Sequence, residues 1–211
     1  MEICVKRSLS RSLSTALVTG VIALSLSSAP ACAHDAESHA HHQHAARETT
    51  RSIVEYAIPA VNLVRDDGKT VELSRELNDG RPVVLNFIYT TCTSVCPLTS
   101  QTFADLQSRL GAARTRVHLV SISIDPEQDT PARLKAYAEK FSAGPDWRHY
   151  TGTLAASITA QRAFNAYRGG KMNHAPVTLV RLPSSNRWIR IDGFATAEQL
   201  LGELHDTVAT R

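Results

Sequence analysis

Cys92 and Cys96 lie in the run Tyr89-Thr90-Thr91-Cys92-Thr93-Ser94-Val95-Cys96-Pro97 of this 211-residue chain. Their type and spacing suggest thiol or metal chemistry. The run follows a continuous apolar stretch, Pro82 to Tyr89, and precedes a helical pattern. It therefore sits where a buried strand ends and a helix begins. The free N–H groups and positive dipole end of such a helix stabilise an anion, and a thiolate is one. At least one of the two cysteines is expected to have a lowered pKa. A C-x-x-C pair at this place is the usual redox dithiol. Here three residues intervene, which loosens the pair but keeps both sulfurs near one helix end. A disulfide or a shared metal is within their reach. Two thiolates are soft ligands that select Cu(I) over harder cations. A three-coordinate site needs one more donor, and His174 is the candidate, with a plain surface-loop residue as the alternative.

Other residues admit two readings. Met172 is a soft thioether near His174, or a packing residue. Asp125 follows an apolar strand and would tune the site from behind, or would simply form the turn before Pro126. Asp129 reads first as a helix-start carboxylate. His118, His149 and His205 read as structural. Residues 34–50, HDAESHAHHQHAARETT, hold His34, His39, His41, His42 and His44 without apolar periodicity. Imidazoles on a flexible strand can gather around copper or zinc, and a solvated linker is the equal alternative.

The elements that must position the cysteines follow from apolar patterning. Ile58 to Val64 and Thr70 to Leu73 are expected as a hairpin around Asp66-Asp67-Gly68. Pro82 to Tyr89 and Val117 to Ile124 read as buried strands. Pro97 to Leu110 reads as a helix ended by Gly111, and Thr130-Pro131 starts a second. Leu154 to Tyr167 is a third. Val177 to Leu182 and Trp188 to Ile191 form a hairpin, and Thr196 caps a last helix reaching about Val208. The order from residue 82 is β-α-β-α-α-β-β-α. That order fits an α/β thioredoxin-like fold, a central mixed sheet flanked by helices. Proteins of that fold place a cis-proline at the start of the strand facing the dithiol, and Pro176 is the candidate.

The length allows one domain with a sizeable core, so no disulfide or metal staple is needed for folding. The formal charge is +3, and residues 1–33 supply +2 of it through Lys6, Arg7 and Arg11 against Glu2. A near-neutral remainder gives no case for nucleic acid. Lys6, Arg7 and Arg11 precede an uncharged apolar stretch, residues 12–28, and Ala31-Cys32-Ala33 follows. This pattern predicts a signal peptide over residues 1–33, released after Ala33. A retained N-terminal membrane anchor and lipidation at Cys32 are the alternatives. All three place the domain outside the cytoplasm, in the periplasm or on the outer side of the cytoplasmic membrane. There a dithiol tends to be oxidised. The expected layout is export segment 1–33, flexible histidine-rich segment 34–54 and folded domain 55–211.

Asn86-Phe87-Ile88-Tyr89-Thr90-Thr91-Cys92-Thr93-Ser94-Val95-Cys96-Pro97, then Ser123-Ile124-Asp125-Pro126-Glu127-Gln128-Asp129-Thr130-Pro131, then Trp147 before Tyr150-Thr151-Gly152, then His174, resembles the Sco/SenC family. The resemblance covers roughly residues 55–208. It implies copper, as Cu(I) or Cu(II), bound by two cysteines and a histidine that match Cys92, Cys96 and His174. It implies an exported metallochaperone that assists assembly of the copper centre of cytochrome c oxidase. The recipient would be an oxidase subunit. The alternative is a thiol-disulfide oxidoreductase that reduces the cysteines of such a copper-site protein, itself served by a thioredoxin-like reductant. Membrane contact would come through the N-terminal segment alone. A peroxide-reducing enzyme on this fold would want Thr three residues before the reactive cysteine, where Tyr89 stands.

Overall fold

The computed structural model describes residues 49–208 except 182 and 184. The expected export segment and the histidines from His34 to His44 lie outside the described residues. Eight strands form one sheet. They are β1 (Thr50–Glu55), β2 (Asn62–Arg65), β3 (Thr70–Glu72), β4 (Val83–Ile88), β5 (His118–Ser123), β6 (Trp147–Thr151), β7 (Val177–Arg181) and β8 (Arg187–Asp192). The helices are α1 (Leu73–Glu76), α2 (Val95–Leu110), α3 (Pro131–Lys140), α4 (Leu154–Ala163) and α5 (Ala197–Val208). The strand order is β1-β8-β7-β4-β5-β6-β2-β3. β4, β5 and β6 run parallel, while the remaining neighbours pair antiparallel. This is the mixed sheet with flanking helices expected of a thioredoxin-like protein.

Every residue of β4 and β5 is buried, because helices cover both faces. Their side chains alternate between two apolar layers. Leu85, Phe87, Val120 and Ile122 join Tyr150, Phe164 and Trp188 on one side. Val84 and Leu119 join Phe103, Leu106, Trp147, Leu200 and Leu204 on the other. A buried polar chain crosses the central strands. The Trp147 indole N–H donates to Ser121 Oγ at 3.0 Å, and Ser121 donates to Asn86 Oδ1 at 2.7 Å. Thr130 caps α3 through its side chain, as its position before Pro131 implies. Thr196 and Gln199 form a reciprocal capping box at α5, at 3.2 and 2.9 Å.

Three expectations need correction. Thr50–Glu55, all but its last residue expected inside the flexible segment, is the edge strand β1. Its partner β8 lies more than a hundred residues away, so nothing local marks it. Trp147–Thr151 is a strand between the two helices that had been expected in succession. Its five residues are too few to show a period, and it forms by pairing with β5 and β2. The described peptide bonds are all trans, that before Pro176 included. Element bounds also shift: α2 begins at Val95, ahead of the expected Pro97, and β3 ends at Glu72, with Leu73 opening α1. The strand expected over Ile58 to Val64 narrows to β2, and α4 stops at Ala163, just before Asn165 turns left-handed at φ 48°.

Candidate metal centre

β4 delivers the chain to the sulfurs. Cys92 N–H donates to the Tyr89 carbonyl at 3.1 Å, a tight turn that folds Cys92 back over the start of α2. Ser94 holds the N-cap position but makes no side-chain cap bond. The sulfur of Cys92 takes that place: Cys96 N–H donates to Cys92 Sγ at 3.4 Å. Cys92 is 7% exposed and Cys96 fully buried, and both are free thiols. The two cysteines are therefore close to one another and unlike in character.

Burial pushes the Cys92 thiol up, but the backbone N–H groups of Cys96 and Ser94, the Cys96 thiol and the Tyr89 hydroxyl outweigh it, leaving Cys92 at about 7. Burial raises Cys96 far above the ordinary thiol range, and the neighbouring Cys92 and Asp129 charges add to this. Alkylation reads the difference directly. Because only the thiolate reacts, iodoacetamide modification of Cys92 should rise about tenfold per pH unit below neutrality and level off above it. Cys96 should stay unmodified over the same range. Peptide mapping separates the two positions, and a Cys92 midpoint at or above the free-thiol value of about 8.5 would contradict this assignment.

Behind the cysteines, Asp129 is fully buried. Its carboxylate accepts the Thr90 N–H at 3.2 Å, the Thr90 hydroxyl at 2.5 Å and the Ser123 hydroxyl at 2.6 Å. Asp129 is thus the clamp of the cysteine loop, a role the helix-start reading did not capture. Asp125 is 8% exposed, and Lys171 Nζ lies 2.5 Å from its Oδ2. It faces the turn carrying His174.

His174 follows the short 3-10 turn Lys171–Asn173 and leads into β7. Its Nε2 lies 3.0 Å from the Phe87 carbonyl. A carbonyl only accepts, so Nε2 carries the proton and Nδ1 keeps the free lone pair. Burial lowers the imidazole pKa, partly countered by the Phe87 carbonyl and reinforced by the Arg168 charge, so the ring is neutral at neutral pH. Tyr89 stands between the two halves. Its ring is edge-on to His174 with centroids 6.3 Å apart, and its hydroxyl engages Cys92. Among the described residues no three His, Cys, Asp or Glu side chains are gathered to hold a metal. The structure brings the two sulfurs together and leaves the imidazole on the Phe87 carbonyl.

The remaining expected residues fall outside this group. Met172 is 83% exposed, which removes the packing alternative. His118 is held by Asp79 at 2.8 Å and Arg81 at 3.1 Å. His149 is fully buried against Trp147 and Tyr137, with Asp66 at 3.6 Å, beyond hydrogen-bond range. Tyr89 and Lys171 were not singled out as site residues from sequence. Tyr89 had a signal, three positions before Cys92 at a strand end. Lys171 had none.

Fold and site together define a thioredoxin-like protein with a C-x-x-x-C dithiol at the start of its first long helix. Within that class, residues 55–205 match the SCO1/SenC family model, and the chain belongs to the SCO1/SenC family. It is similar to a SCO1 protein homolog from Bacillus subtilis (strain 168), 33% identical over 114 residues, covering 53% of this chain and 58% of that one. The chain spans about half the length of the curated relatives it matches. Arabidopsis thaliana ScoI with copper bound has a similar fold, with a TM-score of 0.59 and 23% identity over 74% of this chain and 100% of that one. BsSco, described as a disulfide-switch member of the Sco family of cytochrome c oxidase assembly proteins, gives 0.62 and 23% over 77% and 99%.

Proposed function

We propose that this protein is an exported copper carrier that holds Cu(I) through Cys92, Cys96 and His174 and passes it to the copper centre of cytochrome c oxidase. The observation that carries the reading is the buried thiol pair with one sulfur near its titration point, together with a neutral imidazole with a free Nδ1 that packs against the Tyr89 ring. Two sulfurs and one imidazole suit a soft monovalent ion. Cys92, ionised in part at neutral pH, takes the ion first. Cys96 then gives up its proton as the second sulfur binds, because the ion offsets the charge that burial penalises. His174 completes the set by turning its ring toward the sulfurs. Copper in the Arabidopsis relative and the oxidase-assembly description of BsSco support the assignment of cargo and recipient. The charged start and apolar stretch of residues 1–33 support export, and the histidines from His34 to His44 would concentrate the metal nearby.

X-ray absorption of the copper-loaded protein tests the donor set. The expected shell is two sulfurs and one nitrogen, with the nitrogen lost in His174→Ala and both sulfurs retained. A shell of nitrogen and oxygen alone would place the copper elsewhere and sink the proposal.

The unequal cysteines also favour a second reading, reduction of a disulfide in the recipient. The Cys92 thiolate would attack one sulfur of the target disulfide and release the other as a thiol. Cys96 would then attack the mixed disulfide, freeing the second target thiol and leaving a Cys92–Cys96 disulfide. A thioredoxin-like reductant would restore the dithiol. This activity needs no metal and should survive His174→Ala, which separates it from the copper reading.

A further inference from the structure

The connector between β5 and α3 touches both halves of the site through two carboxylates four positions apart. Asp129 holds Thr90, two residues before Cys92. Asp125 holds Lys171, three residues before His174. Ser123 joins them, donating its hydroxyl to Asp129 at 2.6 Å and accepting the Asp125 N–H at 3.0 Å. The cysteine loop and the histidine turn are thus fastened to one strand end.

The histidine turn has little else to hold it. None of its three residues is buried, and Gly169 and Gly170 precede it, Gly169 at φ +82°. Asn173 Nδ2 reaches the Arg168 carbonyl at 3.4 Å, a local contact that anchors nothing beyond the turn. Among the described residues, the polar side-chain ties from Lys171 and His174 to the body of the fold are the Lys171–Asp125 pair at 2.5 Å and the His174–Phe87 bond at 3.0 Å. The second must break if the ring swings to the sulfurs, and the first need not. The Lys171 side chain is 41% exposed and that of Asp125 9%, so solvent screens the pair only from one side. The Lys171 ammonium also lies 5.8 Å over the Tyr89 ring, and the Lys171 carbonyl accepts the His174 N–H at 3.2 Å. The residue therefore connects Asp125, Tyr89 and the histidine backbone.

We propose that Lys171 is a positioning residue: its ion pair with Asp125 fixes the base of the turn, so that His174 reaches the sulfurs by rotating its side chain and not by reordering the turn. The inference rests on the reading of His174 as third donor. A donor on a fixed base loses less conformational freedom on binding, and so holds the ion longer.

The test separates the two layers. In metal-free protein, Lys171→Met keeps the aliphatic stem and removes the charge. Amide exchange of Asn173 and His174 should quicken by about fivefold, the scale of one partly exposed ion pair, with α2 amides unchanged. Asp125→Asn should do the same, and the double variant should add nothing to either single change. With Cu(I) bound, Lys171→Met should release the ion to bicinchoninate about fivefold faster, and Lys171→Arg should restore the slow rate. Unchanged exchange overturns the proposal. Faster exchange with unchanged release overturns its link to copper. If His174→Ala releases copper no faster than the native protein, the third-donor reading fails, and exchange alone still reports whether Lys171 holds the turn.

Discussion

Replacing either Cys92 or Cys96 by serine is expected to weaken Cu(I) retention by roughly a thousandfold, about 4 kcal/mol. A serine hydroxyl is a hard donor that stays protonated at neutral pH, so under the proposed ligation each change removes a soft anionic ligand outright. The two routes differ. Cys92→Ser removes the sulfur that is already ionised near neutrality and that takes the Cys96 N–H. Cys96→Ser leaves that thiolate alone with the imidazole, and no second sulfur answers it. Serine fits either space, and it can accept the same N–H at position 92, so the fold should persist. Competition against a Cu(I) chelator reads the loss, and thermal unfolding read by circular dichroism confirms that the variants are folded. Native-strength retention in Cys96→Ser would move the ion away from the dithiol altogether.

Asp129→Ala should destabilise the protein by about 3 kcal/mol, lowering Tm by roughly 6–12 °C for a domain of this size. The carboxylate accepts the Thr90 N–H, the Thr90 hydroxyl and the Ser123 hydroxyl in a space closed to solvent. Alanine leaves all three donors without that partner, the Ser123 hydroxyl in a buried position and the two Thr90 donors in a partly buried one. The damage should be local to the site as well as global. Thr90 is released two residues before Cys92, so the turn that places the sulfur over α2 loosens. Alkylation of Cys92 should then lose its near-neutral midpoint and drift toward the free-thiol value. Asp129→Asn is a sharper control. The amide keeps one acceptor but presents an NH2 group to donors, so it should rescue only part of the stability. A melting temperature within a degree of native for Asp129→Ala would show that the clamp carries no weight.

Sequence and structure agree where the determining interaction is local. The dithiol was legible because a buried apolar run, two cysteines and a proline lie within about two turns of chain, and a helix start imposes its own electrostatics. The caps at Thr130 and Thr196 were legible for the same reason. Edge strand β1 and strand β6 were not, because each exists only through partners distant in sequence. Asp125 and Asp129 were both noticed, but their roles could not be assigned. A carboxylate before a helix looks alike whether it faces solvent or a loop 39 residues away.

By itself, the sequence determined the chemistry on offer: two soft sulfurs at a strand-to-helix junction, a histidine ahead of a later strand and an export-like start. Only the tertiary structure decided how those groups stand toward each other. Contacts across 39, 46 and 87 residues clamp the cysteine loop, hold the histidine turn and direct the imidazole to the Phe87 carbonyl. Those contacts depend on which strands lie side by side, and the order of a sheet is set by long-range burial of apolar faces that no local pattern encodes.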